Sequence, residues 1–274
     1  MQVRANIPSN STAITITLAC SLVHFYPPKY HARALRSLDS LIEDHPSQVD
    51  CRMARGYVHA YAERWEEARQ DFDKVLTLLE PQQETWLEAA EESAWCQIQL
   101  GETDVGIQAL NAVIEKLSGR DDTETAHARA LWRLGKAILN SNDASSILEA
   151  YKLWIAALKK SSSFAPAYTS LGIYYSEYAT PRDPTRASKC FQKAFELDAR
   201  EAEAARRLSE GFVDEGEWEL AEIVARRTIE GEGGVEGAGP NDSLGSRHIP
   251  TNVWAWKVVG LVALVSWFCF FIVR

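Results

Sequence analysis

Apolar positions recur along this chain at the three- and four-residue spacing that puts one face of an α-helix into a core, with charged residues between them. Trp65-Glu-Glu-Ala68…Phe72, Ala187-Ser-Lys-Cys-Phe191-Gln-Lys-Ala194-Phe195 and Trp218-Glu-Leu-Ala221 share this grammar. The pattern predicts helices over residues 15–26 and 30–44, then hairpins over 48–79 and 84–117. Further helix pairs are predicted at 125–140 with 145–160, 165–179 with 184–198, and 201–215 with 217–230. His45-Pro46 and Glu80-Pro81 stop helices, Ser118-Gly119 breaks the chain, and Asp183 or Thr185 is placed to cap the helix after Thr180-Pro-Arg-Asp-Pro184.

Small residues fall at two alternating places in these pairs. The first set is Gly56, Ala94, Gly135, Gly172, Ser209 and Gly260; the second is Ala34, Ala68, Gly106, Ala150, Ala187 and Ala221. The step from first to second is 12 residues at Gly56→Ala68, Ala94→Gly106 and Ser209→Ala221, and 15 at Gly135→Ala150 and Gly172→Ala187. The return step is 22 at Ala34→Gly56, Ala150→Gly172 and Ala187→Ser209. Where two antiparallel helices cross closely, a side chain larger than Ala or Ser pushes the backbones apart, and large neighbours fill the space around the contact. In the clearest pair those neighbours are Tyr168, Leu171, Tyr175 and Phe191. The shorter step plus the return gives a repeat of about 34 residues, the period of tetratricopeptide hairpins. The fold expected is therefore all-α: a tetratricopeptide-repeat superhelical solenoid of roughly five to six hairpins over 15–230. A disordered stretch is expected over 1–14.

After residue 230 the composition changes. Gly231–Pro240 holds five of the chain's fifteen glycines, so 231–250 is expected to be a Gly-rich linker. The remaining segment, 251–274, is expected to form an apolar helix. From Val253 to Val273 it carries one charge, Lys257, and it is long enough to span a bilayer, which takes roughly 20 residues. Trp256-Lys-Val-Val259-Gly260 also has the order of a repeat's first helix, with Thr251 or Asn252 as cap. One reading is a tail anchor with the repeats in the cytosol; the other is a further repeat that is cut off.

Composition narrows the chemistry. The 274 residues are 46% apolar and 24% charged with a net charge of −9, which argues against a broad phosphate-binding surface. Cys20, Cys51, Cys96, Cys190 and Cys269 are scattered without a C-x-x-C, and the six histidines lack ligand spacing. No disulfide framework, metal or cofactor is expected. Glu91-Glu92 and Asp121-Asp122 read as solvated faces, and no nucleophile–base order stands out, so no enzyme activity is expected. The residues after the small positions, Tyr57, Trp95, Lys136 and Ile173, include one lysine and make no carboxylate clamp. Arg186, Lys189 and Lys193 share a helix face, followed by Arg206-Arg207 and Arg226-Arg227; pairing with nearby Glu is the simpler reading, and an RNA-facing stripe the sharper one. Trp132, Trp154, Tyr174 and Tyr178 read as core or groove residues rather than base-stacking platforms.

Ser161–Tyr178, Asp183–Asp198, Ala202–Leu208, Val224–Gly234 and Pro250–Gly260 together resemble the tetratricopeptide scaffold subunit of the fungal superkiller complex. The resemblance runs from Tyr30 to about residue 260. It implies a non-catalytic cytoplasmic scaffold that holds RNA helicase and WD-repeat subunits. The assembled complex would serve 3′-to-5′ messenger RNA decay by the cytoplasmic exosome, contacted indirectly. The family's scaffold is much longer, so the resemblance implies an internal portion of it; the family is not known as membrane-anchored, so the resemblance favours the cut-off-repeat reading of the tail.

Overall fold

The computed structural model describes residues 10–24, 30–120, 123–139, 144–231 and 253–272. Among the described residues the chain forms helices and no strand. They are α1 (Asn10–His24), α2 (His31–Asp44), α3 (Val49–Tyr61), α4 (Trp65–Leu78), α5 (Glu84–Gln99), α6 (Thr103–Leu117), α7 (Glu124–Leu139), α8 (Ala144–Lys160), α9 (Ala165–Ile173), α10 (Pro184–Leu197), α11 (Ala202–Asp214), α12 (Trp218–Gly231) and α13 (Val253–Ile272). Two compact units result, α1–α6 and α7–α13. The first helix begins at Asn10, so the expected disordered stretch does not extend to residue 14; residues 1–9 and the linker after Gly231 lie outside the described residues.

In the first unit α1 packs on both α2 and α3 around Ala19, Val23, Ala34, Leu38, Cys51 and Val58. Met53, Ala68, Phe72 and Val75 join α3 to α4, and Ala89 and Cys96 extend that core into α5. In the second unit Ala150, Trp154 and Leu171 join α8 to α9, and Ala187, Phe191, Ala204 and Leu208 join α10 to α11. Leu171 thus packs toward the preceding hairpin, whereas Tyr168, Tyr175 and Phe191 border the α10–α11 core. Each helix buries one stripe against its partner and another against the next pair, which is how a stack of hairpins builds a core that no single hairpin could.

The loops explain the two spacings. The three hairpins with the 12-residue step turn through one left-handed residue, Glu63 (φ 57°), Gly101 (φ 90°) or Gly216 (φ 79°). The following N–H reaches back to a helix carbonyl, Arg64 to His59 at 2.9 Å, Glu102 to Gln97 at 2.9 Å and Glu217 to Phe212 at 2.8 Å. This arrangement ends one helix and starts the next with few residues, and Gly suits it because no Cβ opposes positive φ. In a hairpin with the longer step, α9 instead runs into a π-turn, Tyr174–Tyr178, before a loop to Asp183. There the Asp183 carboxylate accepts from the Arg186 N–H at 2.9 Å, with Pro184 opening α10.

The first half of α13 docks on α12. Ala255 is buried beside Ala225 and Ile229, with Trp254, Val258 and Val259 packed around them. The side chains of α13 are described as far as Leu264, and among the described residues no helix is long and apolar enough to cross a membrane.

Candidate interaction surface

The small residues singled out by spacing lie as follows. A Cβ added to Gly56 would sit 2.7 Å from the Phe72 ring, and one on Gly135 would sit 2.6 Å from the Trp154 indole nitrogen. One on Gly106 would meet Ile98 at 2.5 Å and the Ala94 carbonyl at 2.8 Å. At Gly172 it would press into the Phe191 ring. Ala68, Ala94, Ala150, Ala187, Ser209 and Ala221 are buried, and the Ser209 hydroxyl donates to the Ala221 carbonyl at 3.4 Å. Ala94 with Gly106, and Ser209 with Ala221, are thus brought together across their hairpins. Gly260 differs: it is exposed, and nothing lies within 4 Å of the position its Cβ would take. Val253 is exposed, and Val273 lies outside the described residues.

Several polar features escape the sequence pattern. Asp71, buried on α4, takes a two-pronged contact from Arg55 of α3 at 2.7 Å for each bond, and Arg52 stands 3.5 Å away. Arg55 also reaches Asp39 on α2 at 2.9 Å, so one guanidinium ties three helices. The hydrogen bonds that Arg55 donates to Asp71 hold its guanidinium above the usual arginine range, against the pull of burial. Glu91 and Glu92 are buried in α5, not solvated as their charge suggested. Glu201 is half-buried and accepts from the Thr169 hydroxyl at 2.6 Å; burial pushes its carboxyl up. Asp121 and Asp122 lie outside the described residues.

The basic stripe is largely spoken for. Arg206 pairs with Glu203 and Glu210 at 2.6 Å each, and Arg207 pairs with Glu203 at 2.9 Å and with Glu177. Burial would raise the Glu203 carboxyl, but its hydrogen bonds from Arg206 and Arg207 prevail and hold it below the usual range. Arg226 pairs with Glu222, Arg186 with Asp183 and Lys193 with Glu196. Arg227 lies over Phe195 at 5.3 Å. The ion-paired cations are neutralised locally, which removes most of their reach toward a phosphate backbone.

The aromatics are built into the fold. Trp154 is buried and donates to the Trp132 carbonyl at 3.3 Å, and Trp132 donates to the Ser170 hydroxyl at 2.8 Å. Tyr174 stacks on Tyr151 with centroids 4.5 Å apart. Tyr175 meets the Tyr151 hydroxyl at 3.3 Å, and that hydrogen bond, with burial, pushes the Tyr175 hydroxyl up to about 12.

A groove of about 370 Å³ opens between α10, α11 and the π-turn. Its floor is Ala187, Phe191, Leu208 and Phe212; its rim includes Arg207, Glu210, Asp214 and Glu215. Among the described residues no three His, Cys, Asp or Glu side chains group to hold a metal ion. The geometry offers apolar shelves edged by paired charges, suited to holding another protein.

A family model described as tetratricopeptide repeat matches residues 31–82. Superkiller protein 3 of Schizosaccharomyces pombe is 33% identical over 214 residues, covering 78% of this chain and 15% of that protein. Superkiller protein 3 of Saccharomyces cerevisiae is 28% identical over 266 residues, covering 94% of this chain and 17% of its own. The chain is a tetratricopeptide-repeat protein homologous to superkiller protein 3. It spans less than a fifth of the length of these relatives. Among solved structures, yeast Tom70 superposes with a TM-score of 0.61 at 13% identity, over 93% of this chain and 47% of that one. The Thermus thermophilus tetratricopeptide protein TTC0263 gives 0.54 at 14% identity, over 79% and 99%. At that identity the two speak for the fold, a tetratricopeptide-repeat solenoid, and for nothing more.

Proposed function

We propose that this chain is a non-catalytic protein-interaction scaffold of the superkiller complex, acting in the cytoplasm. The observation that carries the reading is identity to superkiller protein 3 along most of a chain whose helices pair and stack as tetratricopeptide hairpins. The partners are RNA helicase and WD-repeat subunits, and the work of the assembly is 3′-to-5′ messenger RNA decay through the exosome. The surfaces described fit that role. Stacked hairpins present pre-formed apolar shelves at low ordering cost, and Arg186, Arg206, Arg207 and Arg226 of the basic stripe are already paired. The docking of Trp254 and Ala255 on α12 supports a further repeat rather than an anchor at α13.

The test is affinity purification of the tagged chain from cells that make the complex. The helicase and WD-repeat subunits are expected to co-purify, and nuclease treatment is expected to leave the yield unchanged. Recovery of the chain without either subunit, or loss of both on nuclease treatment, overturns the proposal.

A further inference from the structure

We propose that the groove between α10, α11 and the π-turn docks a cationic segment of a partner protein, with one apolar side chain on its floor and a flanking Lys or Arg at its acidic lip; this rests on the scaffold role. At about 370 Å³ the groove is at the small end of ligand-binding clefts, which suits an extended segment with one anchoring side chain. Its floor, Ala187, Phe191, Leu208 and Phe212, is apolar. Ser176 of the π-turn and Pro184 at the start of α10 border it, so the longer hairpin step shapes one wall. On the α11 side stands Gly211, exposed, with nothing within 4 Å of the position its Cβ would take. Glycine inside a helix carries a propensity cost, and no close contact demands it here. What its missing side chain does is leave the groove open.

The charges that line the groove do not balance. Arg207 is held by Glu203 and Glu177, and Glu210 by Arg206. Asp214 and Glu215, exposed on the lip, have no ion pair among the described residues. The lining charges and their ion-pair partners are thus two arginines against five carboxylates, a net −3. A phosphate backbone meets that excess as repulsion, whereas a Lys or Arg beside an apolar residue is drawn to it. The cation is left to Asp214 and Glu215, because the other three carboxylates are already engaged.

The purified full chain is titrated with the peptide acetyl-Ala-Lys-Leu-Lys-Ala-amide while backbone amide resonances are followed by NMR. Those of Gly211, Phe212 and Asp214 are expected to shift and saturate. The peptide with Glu in place of both Lys, and the one with Ser in place of Leu, should leave them unmoved. Asp214→Asn/Glu215→Gln should weaken binding about fivefold, the effect of losing two exposed ion pairs. Gly211→Leu fills the open space and should abolish the shifts while urea unfolding stays cooperative, so that binding is lost without loss of fold. Equal shifts with the Glu peptide, shifts centred outside α10, α11 and the π-turn, binding unchanged in either variant, or saturable shifts of the same amides by single-stranded oligouridylate overturn the proposal. Helicase and WD-repeat subunits that co-purify with a chain the peptide does not shift would overturn the groove and leave the scaffold standing.

Discussion

Trp154→Ala is expected to cost the second unit about 4 kcal/mol, within the range for emptying a large aromatic site in a packed core. Trp154 is 1% exposed, and its indole fills the space left by Gly135. It packs with Ala150 and Leu171, so its removal opens the contact within one hairpin and the contact with the next at once. Ala leaves a void that rigid helices cannot close, and the Trp132 carbonyl loses its donor. Trp154→Phe keeps most of the ring and should cost about 1–2 kcal/mol, the lost hydrogen bond plus a partial void. Leu148, which is exposed, is the control, and Leu148→Ala should stay within about 0.5 kcal/mol. Urea unfolding followed by near-ultraviolet dichroism, with hydrogen exchange of α7–α9, reads all three. A Trp154→Ala loss no larger than that of Leu148→Ala contradicts the packing described.

Arg55→Met is expected to destabilise the first unit by about 3 kcal/mol. This is the low end of the cost of leaving a buried charge without its partner. Asp71 would stay buried with its carboxylate left to the Arg52 guanidinium at 3.5 Å. That residual contact is why the low end applies. The loss does not measure the worth of the ion pair, because most of it is the penalty on the orphaned carboxylate. The double variant Arg55→Met/Asp71→Leu separates the two: it removes the charge along with its partner and should recover most of the stability. Asp39→Asn, at the exposed end of the network, should change stability by less than about 1 kcal/mol. If the double variant is as unstable as Arg55→Met, burial of Asp71 is not the cause.

What the chain's pattern made legible, and what it hid, follows from the range of each interaction. Helix pairing could be read because the constraint is local: Gly56 and Phe72, or Gly172 and Phe191, belong to one hairpin and keep a fixed spacing. The difference between the 12- and 15-residue steps was visible as a number, but its cause needed the backbone, since Glu63 carries the positive φ where the other two turns use Gly. The Arg55–Asp71 bond was not legible. It depends on which helix faces turn toward one another, and nothing in the composition of α3 or α4 marks it. Glu91 and Glu92 misled for a related reason. Charge predicts exposure when a helix has one buried face, but α5 buries Ala89, Ala90, Ser93 and Ala94 around them as well. For α13, the bulky-then-small order of Trp256–Gly260 pointed to a repeat helix. The residues that dock it on α12 are Ala255, with Trp254, Val258 and Val259 around it.

Two glycines on neighbouring first helices give the most direct measurement. Gly172 and Gly211 are both helical, in α9 and α11, yet a Cβ at Gly172 would press into Phe191, whereas at Gly211 nothing lies within 4 Å. Small residues are required only where helices touch, so leucine should act with opposite sign at the two positions. Gly172→Leu is expected to lower the urea midpoint of the second unit by an amount equivalent to about 3 kcal/mol or more. Gly211→Leu should raise it by up to about 1 kcal/mol through helix propensity. Leucine tolerated at Gly172 as readily as at Gly211 would mean that close backbone contact does not build these hairpins.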